Sequence, residues 1–349
     1  MGGGAVAVTT SIAGPVRRRL ARTVFPLPWA ALAAAIVASL LGFALDGPAR
    51  YAPLLLSVVV LGLPHGALDH LTLPRARGAR PTSRSLAAVG ALYLVLGGLY
   101  AAGWFLAPAA AFVAFLALTW VHWGQGDVYS LVALSRETHL RTRGQRLLAA
   151  AVRGGIPMVV PLVGFPETYR AVAATTAGLF VSGASFAWLL APSVRLVAGG
   201  AVALLTVASL LLGRARADDS ASRDAWRLDA GESLLLWAFF LAVPPLVAIG
   251  LYFALWHSLR HLARLAALDP SLSPALRRGR PLSVVVGLGR DALPLTLGAV
   301  ILLAGLAAAV PAGVGSVDAV ASVSLVLLAV LTLPHVVVVS CLDRVQGLW

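Results

Sequence analysis

Apolar runs of about twenty residues, separated by short connectors rich in arginine, recur along the whole chain. A helix needs roughly 20 apolar residues to cross the hydrocarbon core of a bilayer. About ten stretches meet that measure: 28–45, 51–73, 85–106, 109–128, 147–163, 171–190, 196–212, 232–265, 292–310 and 319–342. The pattern predicts an all-α fold, a polytopic transmembrane helix bundle. The stretch 232–265 is unusually long and carries Pro244 and Pro245 in its middle. Proline removes a backbone donor and clashes with the preceding turn. The stretch is either one kinked span or a short half-helix followed by a full one, and we prefer one kinked crossing. The spans are expected to form one transmembrane unit over 28–342, between tails at 1–27 and 343–349.

The connectors orient the bundle. Arg17, Arg18, Arg19 and Arg22 precede the first span, Arg75, Arg77, Arg80 and Arg84 follow the second, and Arg136, Arg141, Arg143 and Arg146 follow the fourth. Counting inward, all three groups fall on one side, which the positive-inside rule makes cytoplasmic. The loop 214–230 has four arginines and four aspartates, so its neutrality lets it sit outside. Arg264, Arg277, Arg278, Arg280 and Arg290 belong inside, which a single crossing at 232–265 satisfies. Both termini are then cytoplasmic, in a multi-pass protein of the inner (plasma) membrane. The basic stretch at the start lacks a short apolar core ending in a cleavage site, so the run after it reads as a first span.

Composition supports this class. Of 349 residues, 59% are hydrophobic and only 12% charged, against roughly 25% charged in soluble domains; mean hydropathy is +0.89. The net charge of +13 is spread over loops, not gathered on one face, so it reports topology and not nucleic-acid binding. The lone Cys341 excludes an internal disulfide and a cysteine metal cage.

The candidate chemistry lies in the histidines. His257 and His261 stand four apart in LYFALWHSLRHLARL, on one face of a helix, a spacing that lets two imidazoles close on one metal. His65 (GLPHGALDH), His122 (TWVHWGQGD) and His335 (TLPHVVVV) also lie in apolar runs. Polar groups at membrane depth are costly and tend to mark function. His65, His122, His257 and His335 each sit past the middle of an outside-to-inside span, with His261 one turn on, so all reach the cytoplasmic half. His139, among Arg136, Glu137 and Arg141, reads as a solvated loop residue. An all-imidazole set suits Fe, Zn, Cu or Ni. On a six-coordinate iron, four neutral imidazoles leave two positions for O2 or substrate. An intramembrane zinc hydrolase would want a glutamate beside its ligands, as in His-Glu-x-x-His, and the histidine motifs contain none. A transporter, or a metal or proton relay, stays open as an alternative. Inverted repeats would favour it, and only the two LPH tripeptides hint at any.

The segments GLPHGALDH, HWGQGD and WHSLRH, in this order, resemble the Brp/Blh family of bacterial and archaeal β-carotene 15,15′-dioxygenases, over roughly Leu54 to Leu342. The resemblance implies a membrane enzyme that uses non-haem Fe(2+) and O2 to split β-carotene, or a related carotenoid, at its central double bond. Two all-trans-retinal result, which can supply a rhodopsin. It implies iron ligands at His65, His122, His257 and His261. A family member that binds carotenoid or retinoid without cleaving it is the remaining alternative. Metal-bound imidazoles usually donate their second N–H to a carboxylate or carbonyl, which makes Asp69 and Asp127 candidates to orient the ligands. The alternative for both is a solvated place at the interface. His70 and His335 are placed beside the ligands, not among them. Arg260 is expected to snorkel toward headgroups. Trp120, Trp123, Tyr252 and Trp256 flank the histidines and are expected to line the path of a substrate that enters from membrane lipid.

Overall fold

The computed structural model describes residues 12–134 and 138–349. Residues 1–11 of the expected tail, and Arg136 and Glu137 of the loop, lie outside the described residues. Among those described the regular structure is helical, with no strand. The helices are α1 Gly14–Val24, α2 Pro26–Leu40, α3 Gly47–Ala67, α4 Asp69–Ala76, α5 Ser83–Leu106, α6 Pro108–Leu134 and α7 Arg143–Gly164. After them come α8 Pro166–Gly178, α9 Pro192–Ala215, α10 Ser220–Ala242, α11 Pro245–Leu268, α12 Ser273–Arg278, α13 Pro281–Ala309 and α14 Val317–Val345.

Local chemistry fixes the starts. Thr82, Thr142 and Asp219 cap α5, α7 and α10 reciprocally with Ser85, Gln145 and Ser222, satisfying N–H groups that have no partner within the helix. The Ser222 backbone N–H holds the Asp219 carboxyl below its usual range, so this cap stays charged. Proline opens α2, α6, α8, α9, α11 and α13, where its missing donor costs nothing.

Eight apolar segments are long enough to cross a membrane. Besides these, α6 and α10, of 27 and 23 residues, run alongside them. With these two there are ten membrane-length helical segments among the described residues, in line with the hydropathy pattern, but they differ from expectation at two places. The stretch 171–190 is not one membrane-length helix. Its helix α8 has 13 residues, about 20 Å at 1.5 Å per residue, and a single turn at Ala187–Leu190 follows. Conversely, 232–265 is not one kinked span. The chain breaks at Val243–Pro244 and doubles back, so Arg260 on α11 is ion-paired with Glu232 on α10, 28 residues earlier. A kinked single crossing would hold those two residues far apart.

The doubling back relocates the loop 214–230. Arg141 pairs with Asp218 at 2.7 Å, which puts that loop on the same face as the arginines after α6, not opposite them. Its second half is already helix α10. Arg75 bridges Asp269 and Asp291 at 3.0 and 2.6 Å, and Arg146 donates to the Leu348 carbonyl at 2.7 Å. One face thus gathers nearly all the arginine connectors, while Arg50, Arg170 and Arg195 lie toward the other. The expected tails are packed. Val16, Leu20 and Val24 of α1 join a core with Leu265, Leu272 and Leu276, and Asp343, Gln346 and Leu348 are buried.

The tightest helix pair is α6 against α7. A Cβ at Gly154 would collide with the Trp120 carbonyl, and one at Gly124 with the Ala150 backbone. Glycine permits this approach, as small residues do generally between membrane helices.

Candidate metal centre

Four helices deliver imidazoles to one point. α3 brings His65, α6 His122, α11 His257 and His261, and α14 His335, and all five are buried. Ring centroids are 4.6 Å apart for His122–His257, 4.7 Å for His122–His335, 5.0 Å for His65–His335 and 5.2 Å for His261–His335. His65 lies 5.5 Å from both His257 and His261. One nitrogen each of His65, His122 and His335 falls within 4.8 Å of the other two; His335 and His261 form a second such group with Asp69. The backbone is adapted here. Val58–Gly62 before His65, Tyr93–Gly97 on α5 and Tyr252–Ser258 around His257 are π-turns, which re-aim side chains and recur at functional sites.

The donor set fits a metal. Nε2 of His257, His261 and His335 and both nitrogens of His122 are buried with no hydrogen-bond partner among the described residues. Buried polar atoms are normally satisfied, so this cluster of unpartnered ring nitrogens is the kind of site that takes up a cation or protons. Neutral nitrogen donors without thiolate suit Fe, Zn, Cu or Ni.

The polar neighbours divide. Asp69 is buried and accepts from His335 Nδ1 at 2.8 Å and from the Tyr93 hydroxyl at 2.6 Å. It is not solvated at an interface, and the ring it holds is His335. His70 is half-buried beside the cavity, with Nδ1 2.9 Å from the Ala67 carbonyl. Asp127 has no hydrogen bond to an imidazole among the described residues. It accepts from Trp256 Nε1 at 2.9 Å and pairs with Arg260 at 3.3 Å and Arg153 at 3.5 Å. Arg260 does not snorkel to lipid; it is buried with its guanidinium 3.9 Å from the Trp256 ring centre. His139 is not solvated either, since it is buried with Nε2 3.0 Å from Asp229.

These residues belong to an intramembrane charge network absent from the sequence reading. Arg153 reaches Asp229 at 2.7 Å and Glu232 at 3.2 Å; Arg260 pairs with Glu232, which also accepts from Trp29 Nε1 at 2.8 Å. Helix α11 faces both centres. Trp256 and Arg260 point into the charges, and His257 and His261, one residue on, into the imidazole cluster. Buried charges persist only when paired, so the network pins the helix that carries the histidine pair. The available signal was Arg153 and Glu232 standing in otherwise apolar runs.

The imidazoles form part of the wall of an apolar cavity of about 720 Å³. It extends along α6 from His122 to Phe112 and along α14 from His335 to Leu325, ten residues on each, or about 15 Å of helix. A second arm passes Asp69 and His70 to Leu86, Val89 and Gly90 on α5. Leu86, Leu295 and Leu302 line the cavity and are exposed on the apolar outer surface. Of the aromatic residues expected on the substrate path, only Trp123 lines it. Trp120 donates to the Ala151 carbonyl at 2.8 Å between α6 and α7. Tyr252 sits behind Trp123, 4.7 Å between ring centres, and Trp256 behind Tyr252. Phe112, Phe115, Tyr169 and Phe253 line the cavity instead.

Fold and site together define a polytopic helical membrane protein with a buried polyhistidine centre opening on an apolar chamber. The model of the family described as "Beta-carotene 15,15'-dioxygenase" matches residues 56–343, and the chain belongs to that family. It is 49% identical over 347 residues to "Probable beta-carotene 15,15'-dioxygenase Blh" of Halobacterium salinarum, covering 99% of each chain. It is also 36% identical to "Probable beta-carotene 15,15'-dioxygenase Brp" of the same organism, covering 94% of this chain and 93% of that one. No solved structure matches.

Proposed function

We propose that this chain cleaves β-carotene, or a closely related carotenoid, at its central 15,15′ double bond with O2, giving two all-trans-retinal. The reading is carried by the orphaned imidazole cluster set in the wall of an apolar cavity that reaches the outer surface of the bundle. Family membership and the names of the relatives support it.

His65, His122, His257 and His261 would hold Fe(2+). Bound iron supplies the one-electron chemistry by which triplet O2 can react with a closed-shell alkene. The chain's own residues do the rest. Neutral imidazoles leave the positive charge on the metal uncompensated. The arm along α6 and α14 is deep enough for one half of a stretched polyene, and the arm toward α5 receives the other, so the central bond lies at the histidines. Apolar walls exclude water, and the exposed Leu86, Leu295 and Leu302 offer entry from lipid. With the arginine face cytoplasmic, the protein is a multi-pass component of the inner (plasma) membrane, and its retinal can be handed to a rhodopsin. The test is metal analysis of detergent-purified protein, followed by product analysis after incubation with β-carotene and O2. Iron with retinal as product supports the reading; tight carotenoid binding with no cleavage by iron-loaded protein refutes it.

A further inference from the structure

His335 is held as a metal-binding imidazole usually is, by a carboxylate. A ligating imidazole presents one nitrogen to the metal and is held by a hydrogen bond from the other, usually to a carboxylate. His335 shows both halves of that arrangement. Its Nδ1 is fixed by Asp69 at 2.8 Å, and its Nε2 is buried without a partner. Asp69 is in turn held by the Tyr93 hydroxyl. By comparison, His65 has no carboxylate partner among the described residues, only Ser258 Oγ at 3.5 Å and the Gly62 and Leu61 backbone carbonyls, and neither nitrogen of His122 has a partner. His335 is also the one residue common to both groups of mutually close donor atoms, with His65 and His122 in one and with His261 and Asp69 in the other.

From this we infer that His335 is a fifth imidazole ligand of the metal, oriented by Asp69, with Tyr93 fixing the carboxylate. The inference rests on the metal-binding reading above. Five imidazoles instead of four would then hold the ion, and the apolar cavity wall would position the alkene.

Cobalt(II) is a probe whose visible absorption reports coordination number without turnover. Detergent-purified wild type, His335→Ala and Asp69→Asn are titrated with Co(II) without oxygen. The wild type should bind one equivalent with the weak bands of a high-coordinate ion. His335→Ala should bind more than tenfold more weakly and with stronger, shifted bands, and free imidazole should restore the wild-type spectrum by filling the vacated space. Asp69→Asn should keep the wild-type spectrum while losing roughly 10- to 100-fold in affinity, the usual effect of altering a ligand's hydrogen-bond partner. If His335→Ala matches the wild type in stoichiometry, affinity and spectrum, His335 is not a ligand. If the wild type binds neither Co(II) nor Fe(2+), the metal reading fails first and this inference with it. Should His335→Ala not elute as a single species, His335→Gln, which keeps a donor for Asp69, is read by the same criteria.

Discussion

Arg153 and Asp229 meet at 2.7 Å inside the bundle, both almost completely buried. Removing one member of a buried pair strands the other charge, at a cost of about 3–5 kcal/mol. Arg153→Met should therefore lower the unfolding temperature of the detergent-solubilised protein sharply. Replacing both partners, as Arg153→Met with Asp229→Leu, should cost less than the single change. Thermal unfolding of the three proteins checks this, and a double variant worse than the single would show that the pair itself is stabilising.

His139 follows from the same network. Its ring is buried against Asp229, so His139→Ala removes a partner from a buried carboxylate. The expected loss is about 1–3 kcal/mol of stability, with metal content per folded protein unchanged. Normal stability would return His139 to the solvent-facing role that its loop position suggests.

For the metal centre, alanine at His65, His122, His257 or His261 should each abolish both iron retention and retinal formation. Wild type should hold about one iron per chain, since the described imidazoles converge on one point. Elemental analysis beside retinal quantification separates loss of metal from loss of turnover. Full zinc occupancy, with activity surviving iron chelation, would rule iron out.

How much of this was legible in the sequence depended on how local the signal was. A histidine in an apolar run is conspicuous because little else there can hold a proton or a metal, so all five rings could be read directly. Their partners could not. Asp69 reaches a ring 266 residues away, and its nearness to His65 along the chain hides that. Arg153, Glu232 and Arg260 lose their usual meaning when buried together, since loop-counting treats arginine as topology. The spans 171–190 and 232–265 were misread for one reason. Hydropathy measures lipid or core preference and not direction, so a short rim helix and a doubled-back hairpin look like one span each.

The hairpin makes a topology prediction. In a Cys341→Ser background, Arg216→Cys should react with a membrane-impermeant thiol reagent from the same side as Arg77→Cys, and Ser185→Cys from the opposite side. All three positions are exposed. Arg216→Cys reacting from the side opposite Arg77→Cys would restore the single kinked crossing.

The cavity makes the last prediction. Gly90 on α5 and Gly298 on α13 both line it, and a Cβ at either would enter open space. A Cβ there meets no neighbour and a non-glycine residue improves helix propensity, so the fold and the distant histidines should be unaffected. It does fill the chamber. Gly90→Phe and Gly298→Phe should therefore keep wild-type metal content and slow retinal formation by at least about tenfold, equivalent to roughly 1.4 kcal/mol in the barrier. Gly289→Phe is the matched control, because Gly289 is also on α13 with open space around it but is exposed and outside the cavity lining. Its rate should stay near wild type. The discriminating result is the contrast between positions on one helix. If Gly298→Phe and Gly289→Phe behave alike, the chamber is not the carotenoid path; if only the two cavity variants fall while metal content holds, the polyene occupies the chamber during cleavage.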